Sequence, residues 1–252
     1  MNKIALVTGG SRGLGKSMAL HLAENGNDVI ITYNTKKELA NEVVKEIELK
    51  GQKAISLQLD VSETGKSIPN FIATFKAALQ STFGKETFDY LINNAGAGNY
   101  QPIAEAQPAD LDYLYNIHFK APYLLAQGLV NSINPNGSII NVSSGYSRFS
   151  DAGFAAYGAM KAAIDTLTRF QAVEFAPLKI RVNAIAPGAV ETDFAGGLVR
   201  DNSFVNEMVA GKTALGRTGQ PNDIGKVIAF LASDASGWIN GERLEVSGGI
   251  AL

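Results

Sequence analysis

The fold of this chain is decided near its start, by Lys3-Ile-Ala-Leu-Val-Thr-Gly-Gly-Ser-Arg-Gly-Leu-Gly15. An apolar run at residues 4–7 leads into a glycine-rich turn, and an amphipathic segment at residues 16–25 follows. Glycines let the backbone approach a pyrophosphate closely, and the next helix offers free N–H groups and the positive end of its dipole. The stretch therefore predicts a strand, turn and helix that bind a dinucleotide. Alone it is a weak signal, because the spacing Thr-Gly-x-x-x-Gly-x-Gly differs from the commoner Gly-x-Gly-x-x-Gly.

The rest of the chain alternates apolar runs with longer amphipathic segments. The runs cover residues 4–7, 29–33, 54–59, 90–92, 138–142, 180–185 and 243–246. The helical segments between them include residues 36–49, 68–82, 111–130, 155–175 and 223–232. Such alternation predicts a single α/β domain over residues 1–252, a Rossmann-type doubly wound sheet of seven parallel strands with helices on both faces. Residues 192–215 are the least regular, which fits either a mobile lid over the substrate or a loose surface excursion.

The composition of the chain argues against several classes of binding partner. The formal net charge is −2 and no basic stretch stands out, so the sequence predicts no nucleic-acid surface. The chain has no cysteine, which excludes disulfides and thiolate metal sites, and we expect no metal. The first strand begins directly after Met1-Asn2, and no apolar run reaches the ~18 residues of a membrane span. These features predict a cytoplasmic protein with no membrane partner.

Tyr157 and Lys161 are the first candidates for catalysis. Residues four apart share one face of a helix, so the phenol and the ammonium group would point into one pocket. Lowering the pKa of a tyrosine from about 10 to about 7 requires ~4 kcal/mol. One cation about 5 Å away supplies roughly 3 kcal/mol at an effective dielectric constant of about 20. We therefore expect Lys161 to lower the pKa of Tyr157 and make the two an acid/base pair; the alternative is a pair packed on a helix surface.

The lack of an acidic residue after the second predicted strand indicates which cofactor is preferred. Sites that prefer NAD hold the ribose hydroxyl with an acidic residue about twenty positions after the glycines. Residues 29–37 contain neither Asp nor Glu and end in Tyr33-Asn34-Thr35-Lys36-Lys37, and Arg12 lies in the glycine turn. Arg12 and the turn that starts at Asn34 would clamp a 2′-phosphate, so NADP(H) is favoured over NAD(H). The alternative is that these lysines are merely solvated residues at the start of the next helix.

Five ordered motifs resemble one known family. They are the glycine spacing after Thr8, Asn93-Asn94-Ala95-Gly96, Ser144, the Tyr157/Lys161 pair, and Pro187-Gly188 with Thr192. Together they resemble the short-chain dehydrogenase/reductase family, most closely its 3-oxoacyl-(acyl carrier protein) reductase group. The resemblance implies that Ser144 hydrogen-bonds a substrate carbonyl, that Tyr157 donates a proton, and that Lys161 also holds the nicotinamide ribose. It further implies a homotetramer.

The resemblance also implies the cofactor contacts. The predicted contacts are Gly9, Ser11, Arg12, Gly13, Leu14 and Gly15 in the turn, Asn34 after the second strand, Asp60 and Val61 beside the adenine, Asn94, Ala95 and Gly96, then Pro187, Gly188, Val190 and Thr192 at the nicotinamide, with Tyr157 and Lys161. From the residues alone, Asn94 and Gly96 would equally form a simple turn after a strand.

His118 departs from the family pattern. It occupies the position where an asparagine usually bends a helix and holds a water that leads from the lysine to solvent. A neutral imidazole both donates and accepts hydrogen bonds, so His118 either serves this relay or is a buried core histidine. Asn116 lies two positions away on another side of the helix and cannot replace it.

The sequence thus predicts an NADPH-dependent carbonyl reductase that acts reversibly on a small-molecule ketone or 3-oxoacyl substrate. The rival hypothesis is a non-enzymatic nucleotide-binding protein of the same fold. Four basic residues could contribute to docking an acyl carrier protein, namely Arg148, Lys179, Arg181 and Arg200, although they form no obvious stripe.

Overall fold

All seven strands lie in one parallel sheet, as predicted. The computed structural model describes residues 2–98 and 100–252. The strand order is β3-β2-β1-β4-β5-β6-β7. The strands are β1 (Ile4–Val7), β2 (Asp28–Tyr33), β3 (Ala54–Gln58), β4 (Phe88–Asn93), β5 (Ile133–Val142), β6 (Arg181–Pro187) and β7 (Arg243–Val246). Because the winding reverses between β1 and β4, a crevice opens at their carboxyl ends, where such sheets bind ligands.

Nine α-helices are present in the described part of the chain. They are α1 (Gly13–Glu24), α2 (Lys37–Glu48), α3 (Thr64–Ala78), α4 (Pro108–Tyr115), α5 (Ala121–Leu129), α6 (Ala155–Glu174), α7 (Leu198–Asp201), α8 (Ser203–Lys212) and α9 (Pro221–Leu231). The helix predicted over 111–130 is interrupted by a π-helical turn at Asn116–Lys120. The irregular segment 192–215 contains α7, α8 and a 3-10 turn at Phe194–Gly197. Among the described residues, no helix combines the length and apolar character needed to span a membrane.

The central strand shows why the apolar runs are continuous. Side chains alternate between the two faces of a strand. Ile4 and Leu6 pack into the core beneath α3 and α5, whereas Ala5 and Val7 pack beneath α1, α2 and α9. All four are fully buried, so neither face of β1 tolerates a polar side chain.

A buried polar network joins α6 to the sheet. Asn93 at the end of β4 donates to Asn141 of β5 (2.8 Å), and Asn141 in turn donates to Thr168 (2.9 Å) and Gln171 (3.1 Å) of α6. Hydrogen bonds in a low-dielectric interior are costly to break. The network therefore fixes the helix that carries Tyr157 and Lys161.

Candidate active site

The glycine turn is shaped to receive a phosphate. Gly9 and Gly13 have φ angles of +66° and +55°, the left-handed region that favours glycine. A Cβ on Gly15 would overlap the carbonyl oxygen of Gly9. Helix α1 begins at Gly13 with no side-chain cap bond from its N-cap residue, Arg12, and no acidic residue in its first turn. The free N–H groups and the dipole of α1 thus fit an anionic dinucleotide.

Asn94 and Ala95 hold this turn in place. The Asn94 side chain donates to the carbonyls of Thr8 (2.8 Å) and Gly9 (3.2 Å). The Thr8 hydroxyl accepts from the backbone N–H groups of Asn94 and Ala95, both at 2.9 Å. These bonds tie the ends of β1 and β4 together, so both residues at least shape the turn that would hold the cofactor.

The residues assigned to the adenosine end lie at the carboxyl ends of β2 and β3. Asn34 is exposed directly after β2, and Asp60 accepts hydrogen bonds from the Ser62 backbone (2.9 Å) and hydroxyl (2.6 Å). Val61 packs against the core on the α3 side, and Leu14 packs against the opposite core. Arg12 is exposed, with Nη1 lying 3.8 Å from Oδ2 of Asp193. Its guanidinium therefore faces the segment after β6.

The segment after β6 also approaches the glycine turn. Pro187 ends β6, and a Cβ on Gly188 would lie 2.8 Å from Cα of Ser247, which leaves only glycine there. Val190 pairs with Gly219 through an isolated bridge. Thr192 is buried, and a Cβ on Gly13 would lie 3.5 Å from Cβ of Thr192. The predicted phosphate and nicotinamide contacts thus border one cleft.

Ser144, Tyr157 and Lys161 converge at the end of β5. Tyr157 and Lys161 lie on α6 and are 7% and 5% exposed, so they are not a surface pair. Lys161 Nζ lies 5.5 Å from the centroid of the Tyr157 ring and donates to the carbonyl of Val142 (2.7 Å). Ser144 lies two residues after Val142, the last residue of β5, and its side chain lowers the pKa of Tyr157.

The direction of the Tyr157 pKa shift contradicts the expectation from sequence. Burial raises the pKa of Tyr157 to about 12, opposed by the hydrogen bond from Ser144. Burial also lowers the pKa of Lys161 to about 7, opposed by the charge of Asp165. Desolvation disfavours both charged forms, and at Tyr157 its effect exceeds the stabilisation of the phenolate by neighbouring groups. The prediction that Lys161 lowers the pKa of Tyr157 to about 7 was therefore wrong for this structure.

Arg243 and Asp165 support the three residues, and neither was predicted from the sequence. Arg243 at the start of β7 donates to the Ser144 carbonyl (3.1 Å), the Ser147 hydroxyl (3.0 Å) and Asp165 (3.1 Å). Asp165 lies one helical turn after Lys161 and is buried. Two features of the sequence could have indicated them. Arg243 is a charged residue at the start of a short apolar run, and Asp165 lies four positions after Lys161.

His118 is buried in the π-helical turn and contacts Tyr157. The two rings are 5.1 Å apart and nearly perpendicular, at 89°. Nε2 lies 2.7 Å from the Ala97 carbonyl, which can only accept, so Nε2 carries the proton and Nδ1 is the free lone pair. Nδ1 is buried with no hydrogen-bond partner among the described residues. Gly96 packs against the imidazole ring of His118. A Cβ on Gly96 would lie 3.0 Å from Cε1 of His118, so a larger residue would crowd the ring.

The environment keeps His118 neutral. Burial, then the charge of Lys161, holds the pKa of His118 well below 6.5, against the opposing effect of the Ala97 carbonyl. The ordinary histidine pKa of ~6.5 therefore does not describe His118. Asn116 accepts from the Thr64 hydroxyl (3.3 Å) and so faces α3, as its position on the helix predicted.

Comparison with known proteins places this geometry in a family. Residues 9–251 match the family model described as enoyl-(acyl carrier protein) reductase. A hydroxynaphthalene reductase-like protein of Metarhizium anisopliae is 35% identical, over 98% of this chain and 94% of the relative. The structure of LugOII, a promiscuous reductase that catalyses keto-reduction at C1 in lugdunomycin biosynthesis, has a TM-score of 0.93 at 34% identity, covering 98% of this chain and 96% of that one. The angucycline C-6 ketoreductase LanV with bound NADP also has a TM-score of 0.93, at 31% identity, over 98% and 95% of the two chains.

Proposed function

The chain belongs to the short-chain dehydrogenase/reductase family and is an oxidoreductase, and from that premise we propose that it is an NADPH-dependent reductase of ketones. When bound beside the glycine turn, NADPH would supply the hydride for the carbonyl carbon. Ser144 hydrogen-bonds the carbonyl oxygen, and Tyr157 gives that oxygen its proton. The convergence of Ser144, Tyr157 and Lys161 beside the glycine turn carries the proposal.

The protonation states favour reduction at neutral pH. Reduction of a carbonyl consumes one hydride and one proton. With a pKa of about 12, the phenol of Tyr157 holds that proton at pH 7, and Ser144 would stabilise the phenolate left behind. Lys161, whose pKa is lowered to about 7, gives up its proton more readily than an ordinary lysine and can return a proton to Tyr157.

We assign His118 to the path that resupplies Lys161 with protons. The free Nδ1 lone pair, the contact with Tyr157 and the influence of Lys161 on its pKa support this role. Because the imidazole stays neutral, it remains an acceptor across the physiological range. If His118 were only a core histidine, its hydrogen bond to Ala97 would be explained. The buried Nδ1, which has no hydrogen-bond partner among the described residues, would not be.

NADPH is preferred to NADH under this proposal. Arg12 projects beside the turn, and residues 29–37 supply no carboxylate that would hold a ribose hydroxyl and repel a phosphate. LanV, the relative described with bound NADP, supports this choice of cofactor.

The rival hypothesis, a protein that only binds nucleotide, explains less. A buried lysine whose pKa is pushed down to about 7 destabilises the folded state below its ordinary pKa. Nucleotide binding alone requires neither this loss of folding stability nor a buried tyrosine with a serine close enough to lower its pKa.

The test is the fall of NADPH absorbance with β-ketoesters, diketones, cyclic ketones and acyl thioesters in turn. We expect oxidation of NADPH with at least one ketone, and oxidation of the product alcohol with NADP⁺. Tight binding of NADPH without turnover in either direction on every substrate would favour the nucleotide-binding protein instead.

A further inference from the structure

A chain of aromatic rings extends outward from Tyr157. Phe194, in the segment after β6, lies 5.9 Å from the Tyr157 ring centroid, and Tyr146, after β5, lies 6.2 Å away at 86°. Phe154 stacks on Tyr146 (4.8 Å, 15°), and Tyr100 meets Phe154 edge-on at 5.8 Å. The segments after β5 and after β6 thus each place one aromatic ring beside Tyr157, and Phe154 and Tyr100 extend the row of rings away from it.

The outer members of this ring cluster (Tyr100, Tyr146, Phe154 and Phe194) are only partly buried by the protein itself. Tyr100 is 65% exposed and Phe194 is 43% exposed. Apolar side chains in the same two segments, Ile103 and Leu198, are 80% and 48% exposed. Partly exposed aromatic rings beside a reactive group are typical of a ligand-binding cleft.

Two glycines make room for the rings. A Cβ on Gly98 would lie 2.5 Å from the Phe194 ring, and one on Gly153 would overlap the Tyr100 ring. The segments on both sides of the cleft therefore admit flat aromatic side chains at close range.

The charges of the site do not suit an acidic carrier protein. Arg148 donates to Glu245 and to the carbonyls of Ile250 and Ala251, and Arg200 pairs with Asp193 and Asp201. Arg181 begins β6, so with Lys179 it lies at the amino end of that strand, away from the site. The four basic residues considered for docking thus form no common patch.

We propose that the site takes fused-ring ketones that contain an aromatic ring, with Phe194 determining that specificity. This inference rests on the proposed reductase activity. Aromatic rings prefer offset-stacked or edge-to-face neighbours 4.5–7 Å away, and the ring cluster offers both arrangements. A saturated ring system of the same size is puckered and lacks the π-face, so it gains only apolar burial.

The test compares 2-tetralone with 2-decalone, two bicyclic ketones with the same carbon skeleton and an unconjugated carbonyl. We expect the ratio of their kcat/KM values with NADPH to favour 2-tetralone by about tenfold. Phe194→Leu keeps the apolar volume but removes the ring, and it should lower this ratio at least about threefold. Phe194→Tyr should restore it.

The control is Phe230→Leu on α9, because Phe230 is 41% exposed, close to the 43% of Phe194, and lies on a helix packed against α1. It should leave the ratio unchanged. A ratio near one in the wild type, or an equal ratio in Phe194→Leu and wild type, would overturn the aromatic specificity while leaving the reductase intact. Failure to oxidise NADPH with any ketone would instead overturn the proposed function.

Discussion

Burial lowers the pKa of Lys161, whereas the nearby charge of Asp165 raises it. The amine is enclosed between α6 and the end of β5, and its one protein acceptor is the carbonyl of Val142 among the described residues. The sequence could identify Tyr157 and Lys161 as a pair because helical spacing alone brings them together. It could not give the direction of their pKa shifts, because these depend on burial by β5 and by the turn that carries His118.

The unfolding free energy reports the Lys161 shift directly. The pKa of Lys161 is about 7 in the folded state and the ordinary lysine pKa is 10.5, so the unfolded chain binds one more proton between these pH values. Stability therefore rises with pH across this window, and the cost of Lys161 is largest below pH 7. The stability of wild type relative to Lys161→Met should increase by up to about 1.4 kcal/mol per pH unit in urea titrations from pH 7 to 10. A constant difference would contradict the lowered pKa.

His118 gives the second pH prediction. Because its pKa lies well below 6.5, a relay through Nδ1 predicts an acidic limb in kcat well below that pH. His118→Asn should remove the limb and keep substantial activity, since an amide accepts a hydrogen bond but does not titrate. His118→Leu should lower kcat about tenfold at equal Tm. Equal kcat values for wild type and His118→Leu at neutral pH would exclude the relay.

At the scale of elements, the strands were predictable and the irregular turns were not. Strands buried on both faces have continuous apolar sequences, so the ends of the seven strands were predicted within a few residues. The exception is β5, which begins at Ile133, five residues before the predicted start. The π-helical turn at Asn116–Lys120 was missed because one extra residue in a turn barely alters an apolar pattern. Helices α7 and α8 were missed because Gly196 and Gly197 interrupt the sequence before them. Whether residues 192–215 move as a lid stays a prediction.

The contact between the glycine turn and the segment after β6 bears on cofactor choice. Arg12 and Asp193 are exposed and 3.8 Å apart, so their attraction is weak, and a 2′-phosphate would compete for the same guanidinium. We expect kcat/KM with NADPH to exceed that with NADH by at least about tenfold, or ~1.4 kcal/mol. Arg12→Ala should narrow the gap, and Asp193→Asn should widen it by up to about fivefold. Equal efficiency with both cofactors in the wild type would contradict the preference.

At the scale of the whole molecule, exposed apolar side chains predict assembly. Phe170 and Val173 on α6 are 62% and 75% exposed, and Trp238 and Leu252 near the C-terminus are almost fully exposed. Such surfaces are typical of interfaces, and two of them related by two-fold axes would build the tetramer that the family resemblance implies.

Light scattering should give four times the 26.7 kDa chain mass at micromolar concentration. Phe170→Glu should reduce the particle to dimers, because a charge would be buried in the α6 contact. Leu49→Glu is the matched control, since Leu49 is 89% exposed at the end of α2, outside both surfaces. A wild-type monomer, or an equal effect of both substitutions, would refute this assembly.

The most direct test of the account is Tyr157→Phe, with NADPH binding and ketone turnover measured on the same preparation. The substitution removes only the hydroxyl group, so the ring contacts with His118 and Phe194 remain. We expect the dissociation constant for NADPH to change less than about twofold and kcat to fall at least about a hundredfold, the low end of what general acid catalysis contributes. If Tyr157→Phe kept more than a few per cent of wild-type turnover, Tyr157 would not be the proton donor.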